Sequence, residues 1–215
     1  MKKYLILFLF ILTVGTSFSQ DMSFSVYAEP QFTWLSPDSK NIENAGSAFG
    51  FNGGLNYDRF FARNYAFSTG ITINKISGKL RFNEKNSFSS IDSSYTIQPG
   101  DEVKYNLQYI NIPLGLKFKT VEIGYTKFYA HLGLEGGLNI KSNVDLENTN
   151  DVNISKEIKW YHLSYYIGGG IEYSIGGNTA LVGGVTYRNG FLDMTKNKNN
   201  KVTSGVVAIR LGVVF

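Results

Sequence analysis

The chain has 215 residues, of which 43% are hydrophobic and 15% aromatic, and its formal net charge is +4. It contains no cysteine, which excludes disulfide scaffolds, thiolate zinc sites, cysteine nucleophiles and a lipidated N-terminal cysteine. Only two histidines are present, so we expect neither a metal site nor a bound cofactor. The small net charge does not predict nucleic-acid binding.

The first segment has the pattern of an export signal. Two lysines precede an eleven-residue apolar run over Tyr4–Val14, and small residues stand at −3 and −1 of a cleavage site at Ser19/Gln20. The run is shorter than the roughly 20 residues that a membrane-spanning helix needs. We therefore expect a signal peptide over residues 1–19 and one mature domain over 20–215. Without the two N-terminal lysines, 19 basic and 17 acidic residues remain.

Eight later segments alternate between apolar and polar residues with a period of two. This pattern is typical of strands whose two faces meet different surroundings. In the first segment Phe24, Val26 and Phe32 share one face, and Ser25 and Glu29 share the other. The predicted strands are Ser23–Trp34, Ala48–Asp58, Tyr65–Lys75, Val103–Lys119, Phe128–Ile140, Trp160–Tyr173, Ala180–Asn189 and Val202–Phe215.

The fourth segment changes phase partway along. Its apolar residues stand at odd positions from Val103 to Tyr109 and at even positions from Ile110 onward. A one-residue slip in a strand moves every later side chain to the other face. We therefore predict a β-bulge near Tyr109–Ile110, shortly before Pro113, which cannot donate to a ladder.

Long polar connections alternate with short ones along the chain. Barrels of the outer membrane show this alternation, with short periplasmic turns and long external loops. The sequence therefore predicts an all-β fold, an eight-stranded antiparallel up-and-down transmembrane β-barrel in the outer membrane. The long connections are 35–47, 76–102, 142–159 and 190–201, and the short ones are 59–64, 120–127 and 174–179.

Three features favour an apolar face that points outward into lipid rather than inward, as in a soluble barrel. The polar face is rich in small residues, which fit a narrow interior. The apolar face has aromatic residues at the strand ends, as in the girdles of membrane barrels: Trp34, Phe49, Tyr57, Tyr65, Phe128, Tyr161, Tyr173, Tyr187 and Phe215. No charge near the centre of a strand falls on the apolar face, and the charges that occur mid-strand fall on the polar face: Glu29, Lys117, Glu135, Glu172, Arg188 and Arg210.

Several segments resemble one family of known barrels. The stretches Tyr109–Leu114, Gly168–Tyr173 and Tyr187–Asp193 are similar to motifs of the PorT-like outer-membrane barrels common in Bacteroidetes. The resemblance implies an eight-stranded barrel of the OmpA, OmpX and OmpW kind but little about activity. The C-terminal segment looks like the outer-membrane assembly signal, a terminal aromatic preceded by apolar residues at every second position: Val207, Ile209, Leu211, Val213 and Phe215.

The six inward charges are the candidates for a functional interior. The first and last strands of a closed barrel are neighbours, so Glu29 and Arg210 are expected partners. Lys117, Glu172 and Arg210 are expected in the periplasmic half of the lumen, and Glu29 and Glu135 nearer its middle. The charges form a salt-bridge plug or, as the alternative, line a gate or an ion path.

The sequence does not point to catalysis. His162 and Ser164 face the same way, but two positions on one strand face are too far apart for an ideal base–nucleophile hydrogen bond. We therefore expect no enzymatic activity and no catalytic, cofactor or metal site.

The expected function is a structural or interaction role in the outer membrane through the outer loops. The alternatives are a narrow pore or transport of small, hydrophobic molecules, and a soluble lipocalin-like binder. Expected partners are outer-membrane lipid, lipopolysaccharide, the barrel-assembly machinery and a protein at the outer loops, and the chain is expected to be monomeric. The basic run Met194–Lys201 and the mixed-charge 76–102 loop are the candidate contact segments.

Overall fold

The computed structural model describes residues 22–89, 94–147, 149–197 and 200–215. The expected signal peptide lies outside these ranges, and within them no helix is long and apolar enough to cross a membrane. The described residues form the strands β1 Met22–Pro37, β2 Ile42–Ala62, β3 Tyr65–Phe82, β4 Asn86–Ser89, β5 Ser94–Ile97, β6 Glu102–Lys119, β7 Thr126–Leu146, β8 Thr149–Asn153, β9 Tyr161–Gly176, β10 Thr179–Gly190 and β11 Val202–Val214.

Eight of these strands close into an antiparallel barrel in the order β1, β2, β3, β6, β7, β9, β10, β11. Closure comes from pairing between β1 and β11, which runs from Ser25↔Val214 to Pro37↔Val202. All eight predicted strands are therefore present, and the predicted fold is confirmed. Most strands are longer than predicted, because they continue into the long connections. The other three strands lie at the end of the barrel that carries the long connections. Strand β4 pairs with β5, and β8 pairs with the last residues of β7.

The middle of the barrel wall is apolar outside and polar inside. Outward residues are largely exposed, as with Phe67 (60%) and Leu114 (61%). Aromatic residues eight positions apart on one strand mark two belts, as with Phe24 and Phe32 on β1. Eight residues span about 27 Å along a strand, or about 20 Å after a tilt of about 40°. This height suits the apolar band of an outer-membrane barrel, which is about 25 Å tall.

The predicted bulge is present at the expected height but on the neighbouring strand. Gln108 pairs with Lys141 and Tyr109 pairs with Asn139, so the extra residue is Ile140 of β7. Strand β6 itself keeps one phase, with its odd-numbered residues pointing inward throughout. The prediction of a phase change within β6 is therefore wrong, and the change in its pattern has another cause.

That cause is a change in the barrel interior from polar to apolar. At the end that carries the long connections, here called the long-loop end, the inward side chains form a hydrophobic core. Odd-numbered residues of β6 belong to this core above Tyr109 and to the polar lumen below it. The upper core comprises Leu35, Ile42, Ile76, Leu80, Phe82, Ile97, Val103, Tyr105, Leu107, Tyr109, Val144, Val152, Ile154, Ile158, Met194 and Val202.

Two leucines of β6 provide a matched test of the upper core. Leu107 is 1% exposed within it, whereas Leu114 is 61% exposed on the lipid-facing wall. We expect Leu107→Ala to lower the free energy of unfolding by about 2–5 kcal/mol, because a cavity adds to the lost transfer energy. Leu114→Ala should cost about 1–2 kcal/mol, because lipid fills the space. Urea titrations in lipid vesicles measure both, and equal losses would contradict an upper core.

Candidate functional site

The charged side chains of the lumen form two groups at different heights. The middle cluster consists of Glu29, Glu135, Arg188 and Arg210. The lower cluster lies toward the end with the short connections, the short-turn end, and consists of Asp58, Lys117, Lys119 and Glu172. Each cluster holds two carboxylates and two cations, so each is neutral.

Glu29 is the centre of the middle cluster and has no exposed surface (0%). One carboxylate oxygen accepts a hydrogen bond of 2.6 Å from Nε of Arg210. The other oxygen binds the guanidinium of Arg188 and accepts a 2.7 Å hydrogen bond from Nδ2 of Asn52. Strands β1, β2, β10 and β11 therefore meet at one carboxylate.

Glu135 completes the middle cluster from the opposite wall. Its Oε2 lies 3.6 Å from Nε of Arg188, and its Oε1 accepts a 2.7 Å hydrogen bond from Nδ2 of Asn111. Arg210 stacks over the ring of Tyr27, with 4.1 Å between the guanidinium carbon and the ring centroid. Each of the four buried charges has an oppositely charged partner, while Nε and Nη1 of Arg188 have no hydrogen-bond partner among the described residues.

The lower cluster is a chain of ion pairs across the barrel. Nζ of Lys117 lies 2.7 Å from Oδ2 of Asp58 and 2.9 Å from Oε1 of Glu172. Nζ of Lys119 lies 2.8 Å from the other oxygen of Glu172. Ser68 donates a 2.7 Å hydrogen bond to the remaining oxygen of Asp58. An open cavity of about 540 Å³ leads from the short-turn end to Lys119 and Glu172.

Little space remains between the two clusters. The cavity there has a volume of about 10 Å³. It is lined by charged residues of the middle cluster and by the aromatic residues Tyr27 and Tyr166. Such a volume holds about one water molecule. The small residues of the lumen do not leave a channel: Gly115 and Gly133 pair across β6 and β7, and the hydroxyl of Tyr166 occupies the space where their side chains would stand.

The structure places all six predicted lumen charges inside the barrel and brings Glu29 and Arg210 together. One placement differs from the expectation: Arg210 joins the middle cluster instead of lying with Lys117 and Glu172. Sequence reasoning missed Asp58 and Lys119. Both stand at strand ends but continue the inward phase of β2 and β6, so extending the alternation by one step would have found them.

The residues of the predicted assembly signal lie on the outer wall. Their role in assembly stays a prediction, since their position shows only that they face the lipid band. The exposed members are Val207, Ile209, Leu211 and Phe215, and Val213 is half-buried.

The two histidines are structural neighbours of the charge network and the upper core. His131 approaches Arg210, with 3.4 Å between its Nδ1 and the guanidinium, and His162 packs 5.4 Å from the ring of Tyr109. Each is 4% exposed. In the described part of the chain, no three histidine, cysteine or carboxylate residues are grouped so as to hold a metal ion.

A separate carboxylate, Asp193, fastens the last long loop over the upper core. Its Oδ1 accepts 3.0 Å hydrogen bonds from the backbone N–H groups of Thr195 and Val202, and its Oδ2 lies 2.8 Å from Nζ of Lys159. Partial burial raises the pKa of the Asp193 carboxyl, but these donors outweigh it and hold the pKa below its ordinary value. Met194, next in the chain, is buried in the core.

An apolar outer band, two aromatic belts and a filled polar lumen define a small membrane-spanning β-barrel. Residues 8–203 match the family described as outer membrane protein beta-barrel domain, and the chain belongs to this family. The predicted outer-membrane location is thereby confirmed, and the soluble lipocalin-like alternative is excluded.

Solved structures with similar folds are also barrels. Neisserial surface protein A is 18% identical, with 89% of this chain and 95% of that chain covered and a TM-score of 0.48. Ail of Yersinia pestis is 15% identical (91% and 99% covered, TM-score 0.40), and OprG of Pseudomonas aeruginosa is 11% identical (91% and 95%, TM-score 0.45). None of the curated proteins compared with the chain matches it.

The middle cluster can be tested by charge balance. Glu29→Gln leaves two guanidinium groups with Glu135 as their one acidic partner, and we expect it to lower the free energy of unfolding by about 3–5 kcal/mol. Glu29→Gln/Arg210→Gln restores neutrality and should cost less than Glu29→Gln alone. Urea titrations in vesicles measure both losses.

The control for this test is an exposed ion pair of the same chain. Glu122 and Lys127 lie 3.0 Å apart at the short-turn end, with side chains 41% and 43% exposed. Glu122→Gln should change the free energy of unfolding by about 1 kcal/mol or less. A double variant less stable than Glu29→Gln would show that the cluster does not act as a unit.

The Asp193 clamp predicts a pH dependence. Its folded pKa lies below the unfolded value, so its stabilisation is complete above the ordinary pKa and is lost as the pH falls through the lowered one. We expect Asp193→Asn to cost about 1.5–3 kcal/mol at neutral pH. The difference from the native chain should shrink below about pH 4. Unfolding titrations across pH measure it, with the exposed Asp38→Asn as control. A difference that grows in acid would refute the clamp.

Proposed function

We propose that this protein is a closed, non-enzymatic outer-membrane barrel that displays a folded cap at its long-loop end. The observation that supports it most is the upper core, which fills the barrel above the charge network. The lumen is thus sealed twice, by paired charges in the lipid band and by apolar side chains above them.

The two seals oppose passage for different reasons. A solute entering from the short-turn end would first have to break ion pairs such as Lys117–Glu172 and Glu29–Arg210. It would then meet a dry interior around residues such as Leu107, where an unpaired polar or charged group is strongly unfavourable. A small hydrophobic molecule is opposed by the first seal and an ion by the second. The arrangement therefore favours a structural role for the lumen.

The cap offers surface suited to a protein partner. Strands β4 and β5 form a two-stranded sheet of their own, and its outer edges have no strand partner within the described ranges. Beside it lies a cleft of about 50 Å³ with an apolar floor that includes Leu80, Phe82 and Ile158. An exposed strand edge next to an apolar cleft is the arrangement that strand addition uses. The two strands and the floor residues Leu80 and Phe82 belong to the 76–102 segment that the sequence singled out, and Ile158 comes from the 142–159 connection.

The proposal includes an orientation. Short turns face the periplasm and long loops the exterior in barrels of this kind, which places the cap outside the cell. The finer resemblance to PorT-like barrels, contacts with the barrel-assembly machinery and a monomeric state stay predictions. A narrow pore or a transporter of small hydrophobic molecules is the alternative that the following measurement decides.

The test is conductance of the refolded, signal-free chain in a planar bilayer. The heat-dependent gel shift of an intact barrel verifies folding beforehand, and a general-diffusion porin in the same bilayer is the positive control. We expect no discrete channels, because both seals lie across the lumen. Reproducible channel steps from a verified barrel would overturn the proposal and move the function to transport.

A further inference from the structure

The aromatic belt at the long-loop end is incomplete. Strands β1, β2, β9 and β10 carry outward aromatic residues there: Phe32, Trp34, Phe49, Tyr161, Tyr165 and Tyr187. Along the line of pairing that starts at the outward Phe51 of β2, the outward positions of β3, β6 and β7 are Lys75, Gln108 and Lys141. Of these three adjacent strands, β3 and β7 carry a lysine and β6 carries a glutamine, where β1, β2, β9 and β10 carry rings.

The register fixes the geometry of this gap. Gln108 pairs with Lys75 on one side and with Lys141 on the other, so the three residues form one row across the wall. Paired residues lie about 5 Å apart, which puts the two lysine Cα atoms about 10 Å apart. Directly below the row, Ile73 and Ile140 are exposed to the lipid band. The row therefore stands at the boundary between hydrocarbon and headgroups.

Two more lysines stand above the row. Lys79 of β3 and Lys104 of β6 are direct cross-strand partners. Like charges placed directly opposite on one sheet face are destabilising, so this pair favours a nearby anion. The lysine patch is defined here as Lys75, Lys79, Lys104 and Lys141.

The chain neutralises the lysine patch only in part. Nζ of Lys104 lies 3.7 Å from Asp145, and Nζ of Lys141 lies 3.5 Å from Asp151. Lys75 and Lys79 have no carboxylate partner in the part of the chain that the structure describes. The four lysines and two carboxylates leave an excess of two positive charges on the outer wall.

We propose that the lysine patch binds the phosphate groups of an anionic glycolipid in the leaflet around the long-loop end. The proposal rests on the outward orientation of that end stated above. The lysine stems lie along the apolar wall while their ammonium groups reach the headgroups. In the basic run that the sequence singled out, Met194 is buried in the upper core and the Lys196 N–H donates to the Glu157 carbonyl, so these two residues lie on the cap.

The experiment measures lipid binding to the refolded chain in nanodiscs of zwitterionic phospholipid. Diphosphorylated lipid A is titrated, and native mass spectrometry gives the Kd. We expect Lys79→Gln/Lys104→Gln to weaken binding about 25-fold, about fivefold for each lysine near the headgroups. Lys40→Gln/Lys156→Gln, which changes two exposed lysines of other long-loop-end connections, is the matched control and should leave the Kd unchanged. The gel shift verifies that every variant is folded.

Two further arms separate the sources of phosphate. Dephosphorylated lipid A should bind weakly and equally to the native chain and the double variant. Inorganic phosphate should not compete at concentrations comparable with the lipid. An unchanged Kd in the double variant, an equal loss in the control, or equal binding of dephosphorylated lipid would each overturn the proposal. Effective competition by inorganic phosphate would also overturn the proposal, because it would show that the lysine patch binds a free anion and not a lipid. Nanodiscs expose both leaflets, so none of these outcomes depends on the conductance result.

Discussion

Closure of the wall by the β1–β11 pairing is the constraint on which the rest of the molecule depends. Once the ring is closed, every second side chain points into a narrow tube, and that tube must be filled by groups that satisfy one another. Glycines, paired charges and aromatic rings fill it within the lipid band, and the aliphatic and aromatic side chains of the upper core fill it above. The same alternation that puts Leu114 into lipid puts Leu107, seven positions earlier, into a dry core. One pattern of periodicity therefore serves two opposite environments along a single strand.

The strands and their lipid-facing sides could be predicted because a period of two and a low tolerance for charge in lipid are both local signals. The upper core could not, because periodicity shows that two faces differ but not which one is enclosed. The pattern at Val103, Tyr105 and Leu107 predicts a change of face, whereas it is the barrel interior that changes from polar to apolar and the strand keeps its phase. The bulge lies on β7 and not on β6. Either strand of a pair can hold the extra residue, and the sequence pattern of one strand does not show which strand does.

The sequence predicts which charged residues face the lumen better than it predicts which of them contact one another. Alternation marks Glu29, Glu135 and Arg188 as inward, and ring closure brings Arg210 to Glu29. Arg188 bridges Glu29 and Glu135 across the lumen. This contact depends on the length of the arginine side chain and on the barrel diameter, and neither can be read from the alternation of residues. The Asp193 clamp likewise depends on a loop folding back over nine residues to the N–H of Val202.

The Glu29–Arg210 contact also has a consequence for how the chain reaches this state. The two residues lie on the first and last strands of the barrel, so Arg210 reaches the carboxylate in native register only when the ring is closed. A pairing displaced by a single residue would turn Arg210 toward lipid, at a cost of about 2–4 kcal/mol near the bilayer centre. It would also leave Glu29 with one cation fewer. The buried charge therefore favours the native register of the closing strands over a register displaced by one residue.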